Sequence, residues 1–177
     1  MPRQFSDTVM QSYYTARTDN GEWYTPSSIV EPCRAILGNI DLDPFSCAMA
    51  QETVKARHFL TAEDDAIVCP WPIGETLFAN PPYGRSIRHC INRVVTEHGR
   101  SWQRGIVLVN NCTDTEWFTQ LAQIATVMCF FKRRIQFIHP EGTLIDRNTR
   151  GQVAVGVEVD NKVFTHHLHR LGLIAYL

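Results

Sequence analysis

The stretch Leu77-Phe78-Ala79-Asn80-Pro81-Pro82-Tyr83-Gly84 constrains this 177-residue chain more than any other. An apolar run that begins at Thr76 has the composition of a buried strand. It stops at two prolines, which donate no ladder hydrogen bond and end the pairing. An amide, a rigid diproline and an aromatic ring are thereby presented at the carboxyl end of a strand. In open α/β sheets that end is where ligands bind. A plain strand-to-helix turn with an Asn cap uses the same residues, so the surroundings of the motif must decide.

Length and composition narrow the choices. The chain is as long as one ordinary domain and can fill one sizeable core. With 44% hydrophobic and 20% charged residues it reads as soluble and globular. A formal net charge of −1 gives no overall pull toward nucleic acid, which argues against a nonspecific DNA coat. Contact with DNA has to come from local patches. Six cysteines are scattered without a C-x-x-C pair, and His58 and His89 have no metal-ligand spacing. Reduced, buried thiols and no metal are expected. No apolar run reaches transmembrane length and no signal-peptide core opens the chain, so the expected setting is cytoplasmic, without a membrane partner.

Taken in order, residues 1–21 read as a flexible arm and residues 22–177 as a single domain. Thr25 is placed to cap a helix with Pro26 at its first position. Ile29, Val30, Cys33, Ile36 and Leu37 have helical spacing, and Gly38 suits the cap that ends it. Pro32 inside that pattern predicts a shortened or kinked helix. A short strand is expected at 39–45, a helix opening near Ser46, a weaker strand at 55–60, an acidic turn at 61–65 and the central strand at 76–79. Ile87, Cys90, Ile91, Val94 and Val95 mark an amphipathic helix. A buried parallel strand is predicted at 105–110, a helix opened by 113–116, strands at 125–131 and 135–138, a long loop near 139–152 and an alternating strand at 153–159. Residues 163–177 stay ambiguous. Strands alternating with helices predict an open, mostly parallel α/β sheet with helices on both faces, which is a Rossmann-like scaffold.

Against that frame, Asn80-Pro81-Pro82-Tyr83 resembles the catalytic motif of S-adenosylmethionine-dependent amino methyltransferases. The order Trp23-Tyr24-Thr25-Pro26, Asp43-Pro44-Phe45, Asp64-Asp65 and then Asn80-Pro81-Pro82-Tyr83 is similar to the small phage and prophage Dam-type adenine methyltransferases. The resemblance covers roughly residues 22–155. It implies the methyltransferase form of the Rossmann-like fold, S-adenosylmethionine as cofactor and adenine N6 in DNA as target. Asn80 Oδ1 and the Pro81 carbonyl would each accept one N–H of the target amine, freeing its lone pair for in-line displacement, with Pro82 fixing the turn. Tyr83 would stack on a base flipped out of its helix. Trp23, Thr25 and Pro26 would line the methionine end of the cofactor, with Asp43, Phe45 and Ser46 in the first strand-to-helix turn beside it. Asp64 and Asp65 match the acidic position near the adenosine end, and the sequence does not choose between them. Asn80 itself faces both cofactor and substrate.

The chain departs from the pattern of many methyltransferases in one respect: Phe45-Ser46-Cys47-Ala48 has no glycine where a glycine-rich turn is common. Only 37 positions separate Asp43 from Asn80, which leaves no room between them for a target-recognition domain. DNA-reading candidates therefore follow Tyr83: Arg85, Arg88, Lys132, Arg133, Arg134, and the loop with Arg147, Asn148 and Arg150. A monomer or weak dimer acting on DNA is the expected working form. Two other functions share these residues. One is the same chemistry on a protein glutamine or an RNA amino group; the other is a catalytically idle, DNA-binding relative.

Overall fold

The sheet is built around two strands, β3 and β4, whose interior side chains are apolar on both faces. A computed structural model describes residues 23–139, 143 and 148–177. The expected N-terminal arm and Arg147 lie outside the described residues. In chain order the elements are α1 (Ser27–Leu37), β1 (Leu42–Asp43), α2 (Ala48–Val54), β2 (His58–Phe59), β3 (Thr76–Ala79), α3 (Ile87–Glu97), β4 (Arg104–Asn110), α4 (Glu116–Ala122), β5 (Val127–Phe131), β6 (Gln152–Val157), α5 (Asn161–Leu168) and β7 (Gly172–Tyr176).

The strands form one sheet in the order β2-β1-β3-β4-β6-β5-β7. The β2, β1, β3 and β4 half is parallel throughout, with Leu42 opposite Leu77 and Phe78 opposite Ile106. Beyond β4 every pairing is antiparallel, because β6 and β7 run against the other strands. The parallel sheet of the sequence reading thus holds for the half that carries the motif.

Alternation along the strands divides the core in two. Phe78, Ile106, Leu108 and Cys129 point to one face, where α1 and α5 cover them with residues such as Val30, Leu37 and Phe164. Leu77, Ala79, Val107 and Val109 point to the other, beneath Ile91 and Val94 of α3 and Leu121 of α4. Burial pushes the thiols of Cys33 and Cys129 up to about 12, so both stay protonated and act as small apolar residues.

Three local expectations are corrected, and one open stretch is resolved. The cap of α1 is Pro26, with φ −69° and ψ 155°, and Thr25 stands one residue outside the helix. Pro32 does not interrupt α1, which runs through it for 11 residues and ends at Gly38 with φ 85°. The missing N–H is tolerated because Ile29, Val30, Cys33, Ile36 and Leu37 all anchor the helix to the sheet. Residues 135–138 do not form a strand. Ile138 makes an isolated antiparallel bridge with Tyr24, closed by two N–H···O bonds of 2.9 Å. The ambiguous tail resolves into α5, capped by the Asp160 carboxylate on the N–H groups of Lys162 and Val163, followed by β7.

The joint between β1 and β3 rests on Asp41. Its Oδ2 accepts from the N–H groups of Glu75 and Thr76 at 3.0 and 3.1 Å and from Thr76 Oγ1 at 3.1 Å. Partial burial works to raise its pKa, but the N–H donors of Thr76 and Glu75, the Thr76 hydroxyl and the Arg57 charge hold it below the ordinary carboxylate value. The stabilisation is therefore full at neutral pH and fades in acid as the carboxylate protonates. Asp41→Ala should cost about 2–3 kcal/mol by orphaning these donors. Thermal unfolding at pH 7 should show a melting point lower by roughly 5–10 °C.

Candidate functional site

After β2 the chain crosses from one side of β1 to the other and returns as β3. The carboxyl ends of β1 and β3 therefore flank the point where the strand order reverses, the place in an open α/β sheet where a crevice forms. A cavity of about 250 Å³ opens there. Its walls come from four stretches far apart in sequence: Trp23 to Thr25 before α1, Asp43 to Cys47 after β1, the acidic turn with Asp65, and Asn80 to Tyr83 after β3.

Asn80 follows the last residue of β3, where Pro81 and Pro82 end the ladder. Its Nδ2 donates to the Trp23 carbonyl at 2.9 Å and to Thr25 Oγ1 at 3.2 Å. The Tyr83 hydroxyl donates to its Oδ1 at 2.9 Å. Burial pushes the Tyr83 phenol upward, with a smaller contribution from Cys112, so it remains a donor. The Tyr83 ring meets Trp23 edge-on, with centroids 6.4 Å apart, and Trp23 in turn packs on Phe137 at 5.6 Å. Gly84 turns the chain toward α3 with φ 107°, a conformation that disfavours any side chain.

Asp43 ends β1 and is 3% exposed. Gln51 on α2 donates to its Oδ2 at 2.9 Å and to Ser46 Oγ at 2.7 Å, and accepts from the Ala56 N–H at 2.7 Å. Among the described residues, Asp43 Oδ1 is buried with no partner, as is the indole Nε1 of Trp23. Burial raises the Asp43 carboxyl to about 6, against the opposing pull of Ser46, the Phe45 N–H and Gln51. A buried carboxylate with one orphan oxygen in a cavity wall is a costly arrangement, and such arrangements concentrate at ligand sites. One orphan acceptor and one orphan donor thus belong to two residues of the same cavity wall, each atom itself buried.

The acidic turn separates two neighbouring carboxylates. Asp65 lines the cavity, has φ 52° and accepts the Ile67 N–H at 3.2 Å. Asp64 turns away and is spent on Thr61, accepting from its N–H at 2.8 Å and its hydroxyl at 2.9 Å. The turn is held down by Trp71, whose Nε1 donates to the Ala66 carbonyl at 2.7 Å. Arg93 of α3 fixes its far end, donating to the Cys69 carbonyl at 2.8 Å while lying 5.7 Å over the Trp71 ring.

Of the residues expected to hold a cofactor, the structure brings Trp23, Thr25, Asp43, Phe45, Ser46, Asp65 and Asn80 to this one cavity. Pro26 and Asp64 are not on it. Pro26 instead lines a second cavity of about 550 Å³, together with Ser28, Lys132, Arg133 and Arg134. These three basic side chains are exposed and make no ion pair among the described residues. Arg85, Arg88 and Arg150 are exposed as well. Asn148 is not available to read bases. It is 6% exposed and donates to the Ile135 carbonyl and to Gln152 Oε1. The sequence reading missed Gln51, the partner of Asp43. The two lie eight positions apart with no periodic pattern, and only the turn from β1 into α2 brings them together. Among the described residues, no group of three His, Cys, Asp or Glu side chains could hold a metal ion, and no helix is long and apolar enough to cross a membrane.

A family model described as DNA N-6-adenine-methyltransferase (Dam) matches residues 12–166. No curated protein matches the chain. Among solved structures, a dimethyladenosine transferase from Plasmodium falciparum is similar with a TM-score of 0.46 and 9% identity, over 81% of this chain and 65% of that one. The chain thus spans less than two thirds of that protein's length. A Thermoplasma acidophilum protein is similar with a TM-score of 0.40 and 15% identity, over 87% of this chain and 88% of that one.

The orphan carboxylate makes a prediction for the ligand-free protein. With a folded value of about 6 against an ordinary 3.8, the native state binds more protons than the unfolded chain between those values. Stability is therefore lost as pH rises through that window and stays lost above it. Asp43→Asn should remove that loss, worth about 3 kcal/mol at pH 8. The melting-point difference between variant and wild type should grow from pH 4 to pH 8; a difference independent of pH would show that Asp43 carries no such strain.

Proposed function

The chain belongs to the DNA N-6-adenine-methyltransferase (Dam) family, and from that premise we propose that it methylates the N6 amino group of adenine in DNA, with S-adenosylmethionine held in the crevice between β1 and β3. The observation that carries this reading is the meeting of Asn80, Pro81, Asp43 and Trp23 around one cavity.

The residues present fit such a cofactor. Asp43 Oδ1 lacks a donor and Trp23 Nε1 lacks an acceptor. A ligand carrying an ammonium or hydroxyl together with a carboxylate offers a partner of the right kind to each. Phe45 and Ala66 supply apolar wall, and Asp65 supplies a carboxylate at the turn. The missing first-turn glycine is offset by Ser46 and Cys47, whose small side chains leave the crevice open. When bound, S-adenosylmethionine supplies a sulfonium methyl group as electrophile.

The chain's own residues do the positioning. An exocyclic amine is a poor nucleophile because its lone pair is delocalised into the ring. Asn80 Oδ1 and the Pro81 carbonyl each accept one N–H, which draws the nitrogen toward tetrahedral geometry and localises that pair. Asn80 Oδ1 retains a second acceptor direction beside the one used by Tyr83. Pro81 and Pro82 hold the carbonyl in place, so little reorganisation is needed when charge develops. Neither acceptor takes a proton permanently; the proton leaves to water after transfer. Tyr83 swings from Asn80 to stack on the flipped adenine. Lys132, Arg133 and Arg134, beside the second cavity, grip backbone phosphates, with Arg85, Arg88 and Arg150 as further contacts.

The direct test is incubation with methyl-labelled S-adenosylmethionine and unmethylated DNA, RNA and protein in parallel. Label in N6-methyladenine from DNA is the expected result; label only in RNA or a protein glutamine would redirect the substrate assignment. Asn80→Ala should lower kcat at least a hundredfold while S-adenosylhomocysteine affinity stays within a few fold, since the amide acts on the reacting amine. Replacing both Arg133 and Arg134 by Ala should weaken DNA binding and flatten its dependence on salt, because each lost phosphate contact reduces counterion release. An unchanged salt slope would return these arginines to the solvated surface.

A further inference from the structure

We infer that Thr25 is a positioning residue for the reaction: with the Trp23 carbonyl it fixes which way the Asn80 amide faces. The inference rests on the proposed methyltransferase reading and adds to it a role distinct from cofactor contact.

An Asn side chain is nearly symmetric in shape and opposite in chemistry at its two ends. Rotated by half a turn, Asn80 would offer N–H donors to an incoming amine that itself arrives with N–H donors. The site works in one orientation only. The Trp23 carbonyl, 2.9 Å from Nδ2, has no proton and can only accept, so it selects the orientation with Nδ2 inward and Oδ1 toward the cavity. Thr25 Oγ1 receives the second Nδ2 proton at 3.2 Å. Both protons of the amide are thereby used, and Oδ1 is the end left to face Tyr83 and the substrate.

The anchors themselves are rigid. Thr25 is 3% exposed. Tyr24, between the two acceptors, is pinned to Ile138 by reciprocal backbone bonds of 2.9 Å. Directly after Thr25, the Pro26 carbonyl accepts from the N–H groups of Ile29 and Val30 and starts α1. Thr25 is also released from the capping role its residue type suggests, because α1 begins without a side-chain cap. Its hydroxyl is consequently free for Asn80.

The test compares Thr25→Val, which keeps the shape and removes the hydroxyl, with Thr25→Ser, which keeps the hydroxyl. In Thr25→Val, kcat should fall on the order of tenfold, the factor for one lost hydrogen bond at the upper end of the usual range. The dissociation constant for S-adenosylhomocysteine should stay within twofold, and Thr25→Ser should restore kcat. A second readout needs no turnover. The Asn80 side-chain NH₂ signals in a ¹⁵N-edited NMR spectrum, assigned by their loss in Asn80→Ala, should shift and exchange faster with water in Thr25→Val and not in Thr25→Ser. Should Thr25→Val fail to fold, Thr25→Ala takes its place in both measurements. A weakened S-adenosylhomocysteine affinity with unchanged kcat and unmoved Asn80 signals would overturn the inference and make Thr25 a cofactor ligand. Wild-type protein that methylates nothing would instead sink the activity reading, while the NMR comparison still decides the Thr25–Asn80 contact.

Discussion

Termination of β3 by two prolines is the constraint on which the rest of the structure depends. A fully buried strand of four residues, paired on both sides, runs directly into a turn that can neither pair nor bend freely. Asn80 is thereby fixed at the rim of the sheet beside the end of β1, where the strand order reverses. Other residues that line the cavity meet at that rim: Asp43 from the neighbouring strand, Trp23 and Thr25 from the entry to α1, Asp65 from the turn after β2. The sheet behaves as a rigid frame, and the site consists of what its strand ends present.

Rigidity and strain are divided between the two strands. At β1, Asp41 is saturated with hydrogen bonds and ties the strand to β3, whereas Asp43, two residues on, is buried with an oxygen unpaired. The first carboxylate stabilises the fold and the second costs it. A buried, incompletely paired carboxylate in a cavity wall is an arrangement that concentrates at ligand sites. Asn80 shows the complementary arrangement: its nitrogen side is fully engaged with the frame, and its oxygen side accepts from the Tyr83 hydroxyl.

The sequence was legible where one local signal decides the outcome. The diproline located the end of β3 and the cavity beside it, helical spacing located α1 and α3, and Val153 to Val157 alternated as β6. It was misleading where tertiary contacts compete with local preference. Thr25 has the side chain of a helix cap, yet Asn80 recruits it, and Pro26 takes the cap position. Pro32 predicts a shortened or kinked helix, yet α1 continues through it, anchored by five buried neighbours. Residues 135–138 are apolar enough for a strand, but among the described residues only Ile138 forms a β-bridge. Asp64 and Asp65 are indistinguishable as letters, and the turn geometry alone sends one to Thr61 and the other to the cavity. The antiparallel insertion of β6 between β4 and β5 has no local signature, because it is a choice of neighbour and not of conformation.

The central claim is that Asp43 and the strand-end motif build one pocket for a sulfonium-type nucleoside. Thermal unfolding with and without S-adenosylhomocysteine measures this without any substrate. At a concentration about a hundredfold above its dissociation constant, the ligand should add about 2.7 kcal/mol to the stability of the wild-type protein. For a chain of this length that is a rise in melting point on the order of several degrees. Asp43→Ala should fold but lose most of that rise. A wild-type melting point unmoved at millimolar S-adenosylhomocysteine would contradict the pocket, and with it the use of this crevice for methyl transfer.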